Sequence, residues 1–295
     1  MISRAELRHH EWWTPYLYLL PGLVLYTVLV LLPLGQAAWI SLYKWDGVTT
    51  GTWVGLSNYM ELLNDLDVRS AFSHAFVLVI FISVLPICLG LLLAAVLGQA
   101  VVRGAVTFRT MLFLPQVVAT VVIGLIWSWL LSEGGPINLA LDAVGLGGVT
   151  RAWLGDFDTA LPAVGLIGAW AATGLCMVLF IAGVQRIPKE LYEAARMDGA
   201  GPWREFRAIT LPGLRAEVGV ALTLTVIAAL RTFDLVYVTT SGGPGKETVV
   251  PGILIYTRAF REGDVGSAAA IAVVLAVILL VVAYAITQIS DREST

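Results

Sequence analysis

The stretch LPAVGLIGAWAATGLCMVLFIAGV, residues 161–184, contains no charged side chain, and QRIPKELYEAARMDGAGPWREFRAITLPGLR, residues 185–215, follows it directly. An α-helix crosses the hydrocarbon core of a bilayer with about 20 apolar residues, so the first segment is long enough to span it. The second segment holds six arginines and lysines, and clusters of such residues mark the cytoplasmic side of a membrane. The pair therefore predicts an all-helical membrane protein with this loop in the cytoplasm.

The composition of the whole chain extends this prediction. Hydrophobic residues make up 58% of the sequence and charged residues only 13%, which is more apolar surface than a soluble domain can bury. Five further apolar stretches are long enough to cross a bilayer: residues 16–43, 75–102, 110–132, 218–240 and 265–289. Pro86 and Pro115 lie in or near the second and third spans and are expected to kink them. The chain is thus predicted to be a polytopic membrane protein with six transmembrane helices.

The distribution of basic residues predicts the orientation. Eleven arginines and lysines fall in the two tails and in the second and fourth loops, against six on the other side. We therefore expect a cytoplasmic tail at residues 1–15, a single membrane domain at residues 16–290 and a second cytoplasmic tail at residues 291–295. The first span is too long for a secretory signal and lacks an early small-residue cleavage site, so it is predicted to remain as an anchor.

Patterns that would indicate enzyme or metal chemistry are not found. The three histidines, His9, His10 and His74, have no second ligand at zinc spacing. Cys88 and Cys176 fall in apolar stretches, which is typical of small core residues. Residues 242–246, GGPGK, lack the first glycine and the final hydroxyl residue of a phosphate-binding loop. The net charge of −3 gives no reason to expect nucleic-acid binding.

The basic loop predicts two short helices. Pro188 suits the first turn of a helix and Gly199 suits its end. A helical wheel groups Leu191, Tyr192, Ala194 and Ala195 on one face and Lys189, Glu193 and Arg196 on the other. A second helix over residues 202–208 would present Trp203 and Phe206. Such a pair could be gripped by a peripheral protein, or it could lie on the bilayer surface as an interfacial amphipathic helix.

The fifth predicted span carries two charges, Arg231 and Asp234. A charge inside a membrane span usually faces a cavity or a partner, and a spacing of three places both on one face of a helix. Thr232 and Phe233 lie between them and Tyr237 follows one turn later. These side chains suit hydrogen bonding and stacking with a hydroxyl-rich sugar; the alternative is an internal ion pair that stabilises the bundle.

The spacing within the loop resembles that of a known family. It is similar, without a gap, to the EAA loop of ABC importer permeases. The matching pattern is Glu193-Ala194-Ala195, three residues, Gly199, nine residues, Ile209, one residue, then Leu211 and Pro212. Further similarities to sugar-type permeases related to the maltose permease lie at LLPG 19–22, Pro33, Ser41-Leu42, VGLSNY 54–59, FLP 113–115, FDLVYVTTSGGP 233–244, Ile255-Tyr256, Phe260, Gly266 and Ala268–Ala270. Two of these segments, VGLSNY and FDLVYVTTSGGP, resemble the first of the two permeases in such transporters.

The resemblance implies a half-pore in a bacterial inner membrane. A second homologous permease would complete the path, two ATPase subunits would bind beneath, and an extracytoplasmic solute-binding protein would deliver a di- or oligosaccharide. This chain would be no enzyme and would bind no cofactor, since ATP and Mg belong to the ATPase. Residues implied to couple to the ATPase are Glu190, Glu193, Ala194, Ala195, Asp198, Gly199, Ile209, Leu211 and Pro212.

The substrate path implied by the resemblance coincides with the charged part of the fifth span: Arg231, Thr232, Phe233, Asp234 and Tyr237. The charge of Arg231 leaves room for a polyol such as glycerol phosphate. A self-sufficient secondary carrier is a further alternative, but it should show inverted repeats or several intramembrane acids, and Asp234 is the one acid at depth.

Overall fold

The computed structural model describes residues 14–97 and 104–292 of the chain, which form a helical bundle. Residues 1–13 and 293–295 of the predicted tails lie outside the described residues, as does Arg103 of the second loop. The bundle has two ends. The basic-loop end carries residues 185–215, and the opposite end carries the start of the second span.

Four unbroken helices are long and apolar enough to cross a membrane, and two bent helix pairs bring the count to as many as six. The unbroken ones are span 1 (Tyr16–Ile40), span 2 (Leu66–Leu97), span 4 (Ala160–Val184) and span 6 (Val265–Ile289). Span 3 consists of Ala105–Val117 and Thr120–Leu130, bent by 103°, and span 5 is Arg215–Leu230, bent by 69° from the preceding Pro202–Gly213. The predicted all-helical, polytopic fold is confirmed.

Short elements connect the spans. Two antiparallel strands of two residues each, Tyr43–Lys44 and Thr52–Trp53, form a small hairpin in which Tyr43 lies opposite Trp53. The short helices are Ser57–Asn64, Pro136–Ala143, Gly147–Val149, Lys189–Met197, Asp234–Thr239 and Pro251–Tyr256, the last continued by a π-helical turn at Thr257–Arg261. Asp234–Thr239 lies inside a broken span, and the other short elements lie at the two ends of the bundle.

The prediction of an unbroken fifth span over residues 218–240 was wrong. The helix ends at Leu230, residues 231–233 are not helical, and a new helix begins at Asp234. Sixteen helical residues cover only about 24 Å, less than the hydrocarbon core of about 30 Å. Span 5 is therefore a discontinuous helix, and its break lies where the charged residues occur.

Proline distorts several spans without ending them. A π-helical segment precedes each of three prolines by two residues: Thr27–Leu31 before Pro33, Ile80–Val84 before Pro86, and Phe206–Thr210 before Pro212. Proline has no N–H and its ring clashes with the carbonyl four residues earlier, so a widened turn relieves the helix at that place. The sharp bend of span 3 lies at the extended residues Val118 and Ala119, on the C-terminal side of Pro115, and not in the preceding turn where a proline kink is expected.

Span 4 is the central helix of the bundle. Its buried side chains include Val164 and Ile167 in one apolar cluster and Met177 and Phe180 in another. Span 3 approaches it closely at Gly174, where a Cβ atom would stand 2.1 Å from the carbonyl oxygen of Leu112. Glycine at this position therefore permits the two helix backbones to pack against each other.

Replacing Gly174 with alanine is expected to destabilise the chain. The added methyl group would meet backbone, which cannot rotate away, and overpacking of this kind costs about 1–3 kcal/mol. The measurement is the unfolding temperature of the purified protein in detergent, followed by circular dichroism. Gly35→Ala is the matched control, since a Cβ there meets no atom within 4 Å. Equal unfolding temperatures for the two variants would contradict the proposed close contact.

Span 1 differs from the others in its burial. None of its described residues is buried, whereas more than half of the most apolar part of span 4 is buried inside the bundle. The apolar surface of span 1 must therefore be covered by lipid or by another chain.

Candidate functional site

At the basic-loop end, the helix Lys189–Met197 ends as the sequence predicts but begins just after Pro188, which was expected in its first turn. Pro188 stands at its N-cap position, and Gly199 follows it with a φ of 75°. The Gly199 N–H donates to the carbonyl of Arg196 (3.0 Å) and the Ala200 N–H to that of Ala195 (2.9 Å). This pair of hydrogen bonds is a Schellman motif, in which a left-handed residue closes the helix.

The inner face of this helix is fixed to the segment that follows. Tyr192 is only 4% exposed, and its hydroxyl lies 3.0 Å from that of Thr210. The Arg196 guanidinium donates to both carboxylate oxygens of the buried Glu205, at 2.9 and 3.2 Å. The hydrogen bond and the charge of Glu205 raise the pKa of Arg196. One bidentate ion pair and one hydroxyl–hydroxyl hydrogen bond from the same face thus hold the helix against Pro202–Gly213.

The predicted grouping of faces was wrong at Tyr192, Glu193 and Arg196, since Glu193 is exposed on the same side as Leu191 and Ala194. Tyr192 does not share a surface with Leu191 and Ala194, which are exposed, and Arg196 points inward with Tyr192. Residues four apart lie on the same side of a helix, so Tyr192 and Arg196 form the inner face together.

No described residue packs over the outer face of Lys189–Met197. Glu190, Leu191, Glu193 and Ala194 are exposed, Ala195 is half-buried, and Met197 is 89% exposed. Asp198 and Gly199 are exposed at its end. The remaining predicted coupling residues lie in the segment leading to span 5: Ile209 and Pro212 are half-buried and Leu211 is exposed. The structure therefore presents carboxylates beside apolar side chains on one projecting surface.

The broken part of span 5 borders a cavity of about 250 Å³. Of the predicted substrate-path residues, four line it: Arg231, Thr232, Phe233 and Asp234. Its other walls come from spans 2, 3 and 4, including Ile82, Gln116 and Ile167. Interrupted helices occur inside membranes where the exposed backbone lines a cavity, which is the arrangement here.

The two charges occupy complementary helix ends. Arg231 follows the C-terminus of Arg215–Leu230, and Asp234 is the first residue of the next helix. A positive side chain at a C-terminus and a negative one at an N-terminus are each favoured by the helix dipole. They do not share a helical face, contrary to prediction, because the helix is broken between them. Within residues 14–97 and 104–292, no ion pair joins Arg231 to Asp234.

Aromatic rings continue from the cavity. Phe233 stacks on Tyr237 with centroids 5.3 Å apart, and Tyr237 does not itself line the cavity. Tyr256 meets Tyr237 at 5.4 Å and Phe260 at 5.5 Å, and the guanidinium of Arg261 lies over Tyr256. Tyr256 and Phe260 were missed as site residues, although both aromatic pairs share the i, i+4 spacing that places rings on one face.

The opposite end is held together by ion pairs. Asp65 caps span 2 through the N–H of Asp67 and also pairs with Arg258, while Lys246 lies 2.5 Å from Asp67. Burial raises the pKa of Asp65, but the hydrogen bonds from Arg258 and from the Asp67 backbone outweigh it and lower the pKa. Lys246 of the GGPGK segment is thus engaged by a carboxylate. In the described part of the chain, no group of histidine, cysteine and acidic side chains is placed to hold a metal ion.

A bundle of apolar spans with a cavity at a broken helix is the fold of a transporter subunit. The chain is similar in fold to a chain in the crystal structure of a bacterial ABC transporter involved in the import of the acidic polysaccharide alginate. The match covers 95% of this chain and 96% of that chain, with a TM-score of 0.79 and 21% sequence identity. Residues 87–294 match the family described as binding-protein-dependent transport system inner membrane component. The chain belongs to this family and is a multi-pass membrane permease subunit.

Relatives in the family extend the similarity over most of the chain. The diacetylchitobiose uptake system permease protein NgcF of Streptomyces coelicolor is 36% identical over 88% of this chain and 77% of its own. The trehalose/maltose transport system permease protein MalF of Thermococcus litoralis is 34% identical over 94% of this chain and 93% of its own.

Proposed function

We propose that this chain forms half of the translocation path of an ATP-driven, binding-protein-dependent importer for a di- or oligosaccharide. The observation that carries the proposal is the helix Lys189–Met197. Its inner face is clamped by Thr210 and Glu205, and its outer face is left open. A rigid element with an uncovered surface is suited to transmit the movement of a partner to span 5, with which it is continuous through Pro202–Gly213.

The partners follow from the family and from this surface. Two ATPase subunits would bind ATP and Mg and grip the outer face, a second homologous permease would complete the path, and a solute-binding protein would deliver the sugar. This chain then carries out no catalysis and binds no cofactor. Because the ATPase lies in the cytoplasm, the basic-loop end faces the cytoplasm, both termini are cytoplasmic, and the protein lies in the bacterial inner membrane, in accord with the positive-inside rule.

The class of substrate is supported by the relatives and by the cavity. Two relatives are named for disaccharides, diacetylchitobiose and trehalose/maltose. Here the cavity offers a carboxylate, a guanidinium and an aromatic ring, the groups that hydrogen-bond to hydroxyls and stack on sugar faces. Neither relative is named for a phosphorylated polyol, so that alternative is not favoured. A self-sufficient carrier is disfavoured by the single acid, Asp234, at depth.

A pull-down tests the proposal. Glu193→Arg is expected to abolish co-purification of the ATPase, because it reverses a charge on the exposed outer face without touching Thr210 or Glu205. Glu133→Arg, an exposed glutamate at the opposite end, is the matched control and should retain the ATPase. If Glu193→Arg binds as much ATPase as the unchanged protein, the exposed outer face of Lys189–Met197 is not the coupling surface.

A further inference from the structure

A cleft of about 300 Å³ lies where Pro202–Gly213 meets span 5, and it includes Leu211 and Pro212 at the end of the predicted coupling loop. Its walls are Arg207, Leu211, Pro212, Arg215 and Val218. The cleft thus combines two guanidinium groups with an apolar wall. The 69° bend between Pro202–Gly213 and span 5 creates it, since the segment crosses the helix end instead of continuing it.

The two arginines have no acidic partner within the described residues. Arg207 and Arg215 are exposed, and the acids nearest in sequence are already engaged: Glu205 pairs with Arg196 at 2.9 Å and Glu217 with Arg186 at 3.4 Å. The first turn of span 5 adds the positive end of its helix dipole at the same place. The cleft is therefore electropositive, and no acidic side chain among residues 14–97 and 104–292 pairs with its two arginines.

The cleft lies where the apolar part of span 5 begins, next to a segment with an exposed aromatic side chain. Val218 begins the apolar part of span 5, and the crossing segment carries Trp203, which is 72% exposed and stacks on Phe206. Tryptophan and arginine are enriched at the boundary between headgroups and acyl chains. A free phosphate ion would use the guanidinium groups but not the apolar wall, whereas a phospholipid would use both.

We propose that this cleft binds the headgroup of an anionic phospholipid, with the phosphate between Arg207 and Arg215 and the acyl chains beside Leu211 and Val218. Basic pockets at the cytoplasmic ends of membrane helices hold anionic headgroups through charge and hydrogen bonding. Such a lipid joins the crossing segment to the bilayer at the point where motion enters span 5. The site depends on the orientation of the loop but not on the identity of the sugar.

The test is lipid retention by the whole transporter complex. The complex is reconstituted into nanodiscs of phosphatidylcholine and phosphatidylglycerol, and the lipid that stays bound is counted by native mass spectrometry. Each of Arg207→Gln and Arg215→Gln is expected to lower retained phosphatidylglycerol about fivefold, since one basic residue near an anionic surface contributes about 1 kcal/mol. Arg204→Gln, an exposed arginine outside the cleft, should retain it as the unchanged protein does.

Two further measurements keep the outcomes separate. The variant Arg207→Lys/Arg215→Lys keeps both charges and should restore retention of phosphatidylglycerol, which shows that loss in the glutamine variants is not misfolding. Inorganic phosphate, added at the same concentration as the phosphatidylglycerol, should not displace the bound lipid. The proposal is overturned if the double variant Arg207→Gln/Arg215→Gln retains as much phosphatidylglycerol as the unchanged protein. It is also overturned if inorganic phosphate displaces the lipid fully.

Discussion

Replacing Gly199 with valine is expected to lower ATP-driven sugar uptake by about five- to 150-fold. The backbone of Gly199 has a φ of 75°, a conformation that a β-branched residue reaches only with strain. Such strain costs about 1–3 kcal/mol, and a loss of this size in the coupling between two sites gives that range of effect. A Cβ atom at Gly199 meets nothing within 4 Å, so the effect would come from the backbone alone.

Two variants separate backbone strain from general damage to the loop. Gly199→Asn should keep most of the uptake, because asparagine tolerates the left-handed conformation at a helix end. Gly201→Val is the matched control: its φ is −80°, in the extended region, and its Cβ also meets nothing. Uptake by reconstituted vesicles, with ATPase content measured in parallel, distinguishes the variants. If Gly199→Val and Gly201→Val have equal uptake, the Schellman ending has no part in coupling.

The second large effect is expected at Asp234. Asp234→Ala should lower uptake about 10- to 150-fold, since a hydrogen bond to a charged group contributes about 1.5–3 kcal/mol and Asp234 is exposed to the cavity. Assembly with the ATPase and the affinity of the binding protein for its sugar should not change, because Asp234 forms none of the ion pairs found among residues 14–97 and 104–292.

Asp234→Asn refines this test. It removes the charge but keeps the ability to hydrogen-bond with hydroxyls, so its uptake should lie between that of Asp234→Ala and that of the unchanged protein. The measurement is initial uptake of labelled maltose, trehalose and diacetylchitobiose by reconstituted vesicles. Undiminished uptake by Asp234→Ala would exclude sugar contact at this position. Loss of assembly in the same variant would indicate instead that Asp234 stabilises the bundle.

Features determined by local sequence could be predicted. The spans follow from apolar length, and the end of the helix Lys189–Met197 follows from Gly199, because glycine adopts a left-handed conformation most readily. The break in span 5 could not be predicted in this way, because residues 231–233 contain neither proline nor glycine and the surrounding stretch is apolar.

Features that depend on distant partners were missed for a different reason. The inner face of the helix Lys189–Met197 is set by two distant partners. Thr210 lies eighteen residues beyond Tyr192, and Glu205 lies nine residues beyond Arg196. A helical wheel contains no information about these partners. The pairing of Tyr237 with Tyr256 has the same origin, since it joins two helices separated by the GGPGK segment.

Span 1 has a consequence for the way the chain is made. The four clusters of buried side chains contain no residue from Tyr16–Ile40, so the interior is assembled by later parts of the chain. Span 1 can therefore insert as a helix whose backbone hydrogen bonds are satisfied internally, independently of the packing of the later spans. In its fully exposed part, residues 16–36, exchange of one apolar residue for another should therefore disturb the fold of this chain little.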